Sequence, residues 1–168
     1  IYFKAGDGYV YALNPTDGTQ KWRANVNSPD QSHYGSPTIA ADGTVYQGSS
    51  DTDRNLWALN PADGSVKWKF PTDSGVYTPP AIDGAGNLYF CSLAGVAYSL
   101  TPSGTQRWKF TSGSNCSSAP ALSADGTTLY YGAYDAKLRA IDTANGSLRW
   151  AFALGDEVRA SSPAVDRS

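Results

Sequence analysis

The sequence of 168 residues contains no methionine, one histidine and two cysteines. Only 17% of its residues are charged, and its 13 basic and 15 acidic side chains give a net charge of -2 without a run of either sign. Since no basic patch is present, no nucleic acid and no anionic membrane surface is expected as a partner. No apolar run reaches the roughly 20 residues that a transmembrane helix needs, so no membrane span is expected.

Glycine, by contrast, is abundant, with 17 residues. Together with the low charge, this turn-rich composition is typical of a rigid exported protein, and we expect an extracytoplasmic location, periplasmic or secreted. The sequence begins at Ile1 and shows no signal peptide. We therefore expect a mature product, an excised segment or an engineered chain.

The most informative pattern is a glycine followed four residues later by a tryptophan, which occurs four times. The pairs are Gly18 with Trp22, Gly64 with Trp68, Gly104 with Trp108, and Gly146 with Trp150. The tryptophans lie 46, 40 and 42 residues apart, and this spacing indicates four repeated structural units. We expect the glycines to form tight turns and the tryptophans to pack in the core, so both sets are predicted to be structural.

Each repeat contains four short segments with the pattern of β-strands, bounded by turn signals. The third segment is apolar on both sides: Val10 and Ala12 point to one face, and Tyr11 and Leu13 to the other. Arg139 replaces an aromatic residue of this segment, and we expect its stem along the packed surface and its head in water. Sheets covered on both faces are typical of radial stacking. The sequence therefore predicts an all-β fold, a β-propeller of four-stranded antiparallel blades with four blades per chain.

The residues that end each repeat resemble the tryptophan-docking motif of the quinoprotein-type, or PQQ-like, propeller repeat. Ala140, Asp142, Gly146 and Trp150 match that pattern best, while Asn145 stands where the family has threonine. The resemblance extends over essentially the whole sequence and implies a β-propeller. Family members include quinone-dependent dehydrogenases, a lipoprotein of the outer-membrane barrel-assembly machinery and many binding modules, so the resemblance says more about fold than about function.

The repeat boundaries predict one propeller domain, residues 1–168. Its blades are residues 1–25 joined to a C-terminal strand at 162–168, then 36–71, 79–111 and 119–153. The two ends of the sequence are thus complementary parts of one hairpin, and their pairing removes two exposed strand edges.

The complementary ends can join in two ways. Within one chain they close a ring of four blades, whereas propellers that resemble this repeat usually have seven or eight. Blades shaped for eightfold packing subtend about half the angle that a fourfold ring requires. We therefore expect a homodimer in which two chains, joined head to tail, form one eight-bladed ring. A further alternative is that the chain is half of a longer polypeptide.

By resemblance, a ligand of this fold lies on one face of the propeller. Two sets of loops form that face: those that join the fourth strand of one blade to the first strand of the next, and those that join the second strand of a blade to its third. The side chains predicted on this ligand or partner face are those of His33, Tyr34, Tyr77, Asp51, Asp53, Asp135 and Arg159. Such a mixed set of side chains is suited to binding a small acid or a peptide. It is also compatible with solvent-exposed loops that only connect the strands. No serine or cysteine nucleophile accompanies His33, so no catalytic residue is predicted.

Asp51, Asp53 and Asn55 place oxygen-bearing side chains at alternating positions, as calcium loops do. Arg54 lies between them, and the glycine and distant glutamate of a calcium loop are missing. An extended hairpin loop is therefore the favoured interpretation, calcium is the weaker alternative, and no metal site is predicted.

Cys91 and Cys116 fall near the same face of the predicted blades, where they form either a disulfide or two buried free thiols. They are not adjacent in sequence, whereas the quinone-dependent alcohol dehydrogenases that resemble this fold carry a vicinal cysteine pair beside the cofactor. No cofactor is therefore expected, and PQQ with calcium belongs only to an enzymatic alternative.

The sequence predicts a non-catalytic propeller that serves as a scaffold or as a protein- or peptide-binding module, as the resemblance to the barrel-assembly lipoprotein implies. The expected partners are a second copy of the chain, extended peptides and other proteins. One alternative is a fragment or degenerate relative of a PQQ-dependent alcohol or sugar dehydrogenase. A second alternative is an engineered or reconstructed propeller without biological activity.

Overall fold

The computed structural model describes residues 1–28, 35–159 and 161–166, and the regular structure of these residues consists of β-strands alone. The strands form four antiparallel sheets, one with three strands and three with four, and neighbours along the chain are neighbours in each sheet. The prediction of an all-β fold built from small antiparallel blades is confirmed. The chain divides into two compact units, residues 1–79 and 80–168.

The first unit contains a three-stranded and a four-stranded sheet. The strands of the first sheet are β1 (Tyr2–Lys4), β2 (Gly8–Leu13) and β3 (Gln20–Ser28). Those of the second are β4 (Thr38–Ile39), β5 (Val45–Gly48), β6 (Asn55–Leu59) and β7 (Val66–Pro71). The buried side chains between the two sheets are those of Val10, Ala12, Trp22, Val26, Val45, Trp57 and Leu59. One face of each sheet therefore forms the core of this unit.

The second unit contains two four-stranded sheets. The strands of its first sheet are β8 (Ala81–Ile82), β9 (Leu88–Cys91), β10 (Val96–Leu100) and β11 (Gln106–Thr111). Those of its second sheet are β12 (Ala121–Leu122), β13 (Thr128–Ala133), β14 (Lys137–Asp142) and β15 (Leu148–Ala153). The buried core between them consists of Tyr89, Cys91, Ala97, Trp108, Cys116, Leu129, Tyr131, Ala133 and Ile141. As in the first unit, two sheets pack face to face.

The register of each sheet puts the repeated tyrosine and tryptophan on one face. In the last sheet Ala140 lies opposite both Tyr130 and Trp150, whose ring centroids are 5.8 Å apart. A shift of register beside Ala140 recurs at the equivalent position of every sheet. Because a bulge reverses the alternation of side chains, Trp150 shares its face with Leu138, whereas Leu148 lies on the opposite face.

Trp22 and Trp108 show how one sheet covers the next within each unit. Both side chains are buried, at 6% exposure. The indole N–H of Trp22 donates to the carbonyl oxygen of Pro61 at 2.9 Å, and that of Trp108 donates to the carbonyl oxygen of Thr143 at 2.9 Å. Each tryptophan thus buries an aromatic ring and satisfies its one donor on the turn of the following sheet.

Replacing Gly146 by alanine is expected to lower the free energy of unfolding by about 2 to 3 kcal/mol. Gly146 has a φ of +78°, and an added Cβ would lie 2.7 Å from the Trp108 ring, so alanine strains the backbone and displaces the indole. Gly126→Ala is the matched control, since its φ is +71° and its Cβ would meet no atom within 4 Å. The control is expected to lose only about 1 kcal/mol. Urea denaturation measures both losses, and equal values would contradict this packing role.

The C-terminal strand predicted at 162–168, as part of the first blade, stays a prediction. Residues 161–166 contain no strand, residues 167–168 lie outside the described part of the chain, and the sheet of β1 to β3 has three strands. The equivalent strands β4, β8 and β12 have two residues each, and each pairs with the strand that follows it in sequence. So short a strand forms only where a neighbouring strand satisfies its backbone.

Candidate functional site

The loop that joins β5 to β6 in the first unit holds Asp51 by hydrogen bonds. Its carboxylate accepts from the hydroxyl of Ser74, from the backbone N–H of Gly75 at 2.7 Å and from the hydroxyl of Tyr77 at 3.0 Å. Burial by itself would raise the pKa of Asp51, but these three hydrogen bonds outweigh it and hold that pKa below its usual range. Asp51 therefore connects its own loop to the segment that follows β7.

Asp53 fixes the other half of the same loop. One of its carboxylate oxygens accepts from the hydroxyl of Ser49 at 2.7 Å and from the indole N–H of Trp57 at 2.7 Å. The side-chain amide of Asn55 donates to the carbonyl oxygen of Asp53 at 2.6 Å. Arg54, between them, has a φ of +54°, a left-handed conformation that places its guanidinium on the carbonyl oxygen of Asp51 at 2.7 Å.

This bonding bears on the calcium alternative. A calcium loop directs six to eight oxygens at one point, whereas the carboxylates of Asp51 and Asp53 are directed at separate protein donors. Among residues 1–28, 35–159 and 161–166, no group of three or more His, Cys, Asp or Glu side chains could hold a metal ion. The loop is built as a hydrogen-bonded turn, and its residues do not fit a calcium site.

In the second unit, Asp135 is the partner of Arg139. The guanidinium is bound through both of its terminal nitrogens, one of them 2.9 Å from a carboxylate oxygen, and Arg139 is only 5% exposed. The expectation that the head of Arg139 lies in water is therefore wrong. The turn between β13 and β14 brings Asp135 beside the arginine, and this paired charge makes burial tolerable. The bond from Arg139 also holds the pKa of Asp135 below its usual range.

Asp135→Asn is expected to lower the free energy of unfolding by about 2 kcal/mol at neutral pH, because it leaves a buried guanidinium without its counterion. Since the pKa of Asp135 is depressed in the folded state, this stabilisation is present above the unfolded value near 3.8 and is lost as pH falls through the folded value. The difference between wild type and variant should therefore shrink in urea denaturation below about pH 4. Lys137→Ala is the control: its ammonium lies 3.9 Å from Asp135 and its side chain is 48% exposed, so an effect below about 0.5 kcal/mol is expected. A difference that persists unchanged at low pH would contradict the ion pair.

Arg159 lies on the surface of the second unit. Its guanidinium pairs with Glu157 and lies 5.3 Å from the centre of the Tyr134 ring. The bond to Glu157 and its charge raise the pKa of Arg159 above its already high value, so the side chain keeps its positive charge. Tyr134 is 37% exposed, so the two side chains form a cation and aromatic pair on the surface.

Cys91 in β9 and Cys116 in the loop before β12 are joined by a disulfide, with their Cα atoms 5.9 Å apart. Both residues are 1% exposed and belong to the core of the second unit. The bridge spans 25 positions of sequence, so it is not a vicinal cysteine pair.

The residues predicted for the ligand or partner face fall into three groups. His33 and Tyr34 lie outside the described residues. In the first unit, Tyr77 and Asp51 are joined by a hydrogen bond, and Asp53 lies in the same loop. In the second unit, Asp135 and Arg159 have separate partners. Sequence reasoning missed the bonds from Trp57 to Asp53 and from Arg139 to Asp135, although the second has a signal: Asp135 lies in a hairpin turn, four residues before Arg139.

These small antiparallel blades, with a glycine turn beneath a buried tryptophan, define a β-propeller repeat protein of the PQQ-like type. The chain belongs to the family described as outer membrane protein assembly factor BamB, which matches residues 6–168. No curated protein sequence matches the chain.

Two solved structures show the same fold. BamB from Moraxella catarrhalis has a TM-score of 0.73 at 21% identity, and the match covers 90% of this chain and 44% of that one. The computationally designed Ika8 protein has a TM-score of 0.76 at 16% identity, with 94% of this chain and 47% of that one covered. The chain therefore spans less than half the length of either structure, and identities this low show the fold alone.

Proposed function

We propose that the chain is a non-catalytic, extracytoplasmic scaffold that binds proteins through extended segments. The observation that supports this most directly is the internal use of Asp51, Asp53 and Asp135, whose carboxylates accept hydrogen bonds from neighbouring protein groups. A general base, a nucleophile or a metal ligand needs lone pairs directed at a substrate or ion. The candidate acidic residues instead hold loops and a buried arginine in place.

The outermost strands of the sheets offer a surface for an extended segment. Among the residues that the structure describes, β7, β11 and β15 each have one neighbouring strand, and most of their side chains are exposed. The outer side of such an edge strand can bind an extended peptide through main-chain hydrogen bonds. The family description as an outer membrane assembly factor agrees with a protein partner and with an extracytoplasmic location.

A second copy of the chain is part of the same proposal. The chain covers 44% of one solved propeller and 47% of another. Two chains joined head to tail would therefore supply nearly the length that a single chain supplies in those structures, and they would complete one eight-bladed ring.

Titration of a labelled peptide about ten residues long, with alternating apolar and polar side chains, tests peptide binding. Fluorescence anisotropy is expected to give a dissociation constant of about 1 to 100 μM, in the range of transient protein contacts. A control peptide with proline at alternate positions has lost half of its backbone donors and should not bind. Equal affinity for both peptides would contradict strand addition, and no binding of either would contradict the peptide-binding function.

The absence of catalysis needs a separate assay. After incubation with PQQ and calcium, the protein is expected to reduce a dye no faster than a protein-free blank when alcohols or aldose sugars are supplied. Turnover above the blank would overturn the proposal and support the dehydrogenase alternative.

A further inference from the structure

The turn between β14 and β15 contains Asn145 followed by Gly146, the one Asn-Gly pair in the sequence. The side-chain amide of an asparagine can be attacked by the backbone nitrogen of the next residue. Glycine obstructs this attack least, because it has no Cβ and the most permissive backbone. Asn145 is exposed, so water can reach its side chain. The pair therefore has the composition of a site at which asparagine loses its amide nitrogen.

The folded turn engages both groups that would react. The backbone N–H of Gly146 donates to the carbonyl oxygen of Asp142 at 2.8 Å, so the attacking nitrogen is held by that bond. The side-chain oxygen of Asn145 accepts from the backbone N–H of Ser147 at 2.8 Å, which fixes the amide that would be attacked. Attack requires these bonds to break, so it requires the turn to open.

Trp108 of the neighbouring sheet packs on this turn. A Cβ on Gly146 would lie 2.7 Å from the Trp108 ring. The Trp108 N–H donates to the carbonyl oxygen of Thr143, which belongs to the same turn, at 2.9 Å. Trp108 is only 6% exposed, so its ring is held in the core of the second unit. Opening of the turn therefore requires the loss of its contacts with Trp108.

Two other turns of the chain show how an aspartate fits at the position of Asn145. Asp17 and Asp63 each stand directly before the turn glycine, as Asn145 does. Each accepts from the backbone N–H of the residue two positions later at 2.9 Å, and Asn145 accepts in the same way. Hydrogen bonds from Thr19 and Ser65 hold the pKa of these two carboxyls below its usual range. An aspartate at position 145 would therefore be ionised and would retain the turn.

We propose that Asn145 is a deamidation site and that the docking of Trp108 on its turn controls the rate. In the open turn the Gly146 nitrogen bonds to Cγ of Asn145, the Cγ–Nδ2 bond breaks, and ammonia leaves with the proton of the Gly146 nitrogen. Water then adds to the cyclic imide that results. Cleavage of the bond from the nitrogen to Cγ gives aspartate. Cleavage of the bond from the nitrogen to the main-chain carbonyl carbon gives isoaspartate, whose main chain runs through Cγ.

The two products differ in their effect on Trp108. Aspartate leaves the main chain unchanged, so the turn can close on Trp108 again with one additional negative charge. Isoaspartate adds one atom to the main chain before Gly146, so this glycine cannot keep both its bond to Asp142 and its place against the ring. Deamidation is therefore expected to give one product that restores the docking and one that weakens it.

Peptide mapping by mass spectrometry tests the site, because conversion of an amide to a carboxyl group changes the mass of the peptide that contains Asn145. Native wild type and wild type unfolded in guanidinium chloride are incubated side by side at mildly alkaline pH, which favours loss of the proton from the Gly146 nitrogen. Conversion in the native protein is expected to be at least about tenfold slower, because it follows the fraction of open turns. An unchanged Asn145 in the unfolded protein would overturn the site, and equal rates would overturn control by the folded turn.

Three variants test control by Trp108. Trp108→Ala is expected to raise the native rate at least about fivefold, and Trp108→Phe, which keeps a ring but lacks the N–H donor, should raise it less. If Trp108→Ala does not fold, Trp108→Phe decides alone. Trp22→Ala is the matched control: Trp22 is equally buried and is bonded to Pro61 in another turn, so the rate at Asn145 should stay within about twofold of wild type. A Trp108 variant no faster than wild type, or the same acceleration in Trp22→Ala, would overturn the proposal.

The two products, separated by ion exchange, test the link between the turn and the docking. The aspartate product and the Asn145→Asp variant should unfold at the urea midpoint of wild type, because Asp17 and Asp63 form the same bonds in equivalent turns. The isoaspartate product, identified by enzymatic methylation of its carboxyl group, should unfold at a lower midpoint. Equal midpoints for the two products would show that the docking of Trp108 does not depend on this turn, and would overturn the proposal.

Discussion

Replacing Trp108 by alanine is expected to lower the free energy of unfolding by about 3 to 5 kcal/mol, the usual cost of removing a large aromatic side chain from a core. The ring is 6% exposed and lies on Gly146, and its N–H is bonded to the carbonyl oxygen of Thr143. The variant loses apolar burial, leaves a cavity between two sheets and deprives that carbonyl of its donor.

Trp150→Ala is the matched comparison, because Trp150 has the same place in its repeat and is 45% exposed. At a concentration where the chain is monomeric, it should cost less than about 1 kcal/mol. Trp108→Phe retains most of the apolar volume but removes the N–H donor, so it should lose an intermediate amount. Urea denaturation followed by far-ultraviolet circular dichroism measures all three. If Trp150→Ala costs as much as Trp108→Ala, position in the repeat would govern the loss of stability and burial would not.

The blades could be predicted from the sequence because their signals are local. Strand alternation, Asp-Gly turns and the glycine before each tryptophan depend on neighbours a few residues away, and they recur often enough to establish the period. The pairing of the C-terminal segment depends on a remote strand, and that pairing stays a prediction. The exposure of Trp150 is a further limit, since its local sequence matches that of the buried Trp108.

The loops were less predictable for a physical reason. The alternating oxygens of Asp51, Asp53 and Asn55 favour a hairpin loop but leave a metal site as the weaker alternative. The left-handed backbone conformation of Arg54 determines where each of these oxygens points. The sequence does not indicate that conformation, because a positive φ is uncommon for arginine. The wrong expectation for Arg139 has another origin, since its acidic partner Asp135 lies in the preceding hairpin turn, and only the fold of that turn brings the carboxylate onto the guanidinium.

Removal of the disulfide is expected to lower the free energy of unfolding by about 3.5 kcal/mol, from the loop-closure entropy of a cross-link across 25 positions. Replacing both Cys91 and Cys116 by alanine keeps the site apolar, which matters because both residues are 1% exposed. Serine would add buried hydroxyls and confuse the comparison. The loss should appear as a lower urea midpoint, and reduced wild type should unfold at nearly the same midpoint as the double variant.

The burial of Cys91 and Cys116 also predicts how the bond responds to reductant. Thiol exchange requires access to a sulfur, so the native protein should resist dithiothreitol and become reducible only at urea concentrations that open the second unit. The mass of the intact protein, recorded after alkylation with and without prior reduction, measures the fraction bonded. Alkylation of both cysteines in unreduced, unfolded protein would show two free thiols and contradict the bridge. A double variant as stable as the wild type would show that the two sheets of the second unit need no covalent link, and that the packing around Trp108 is sufficient to hold them.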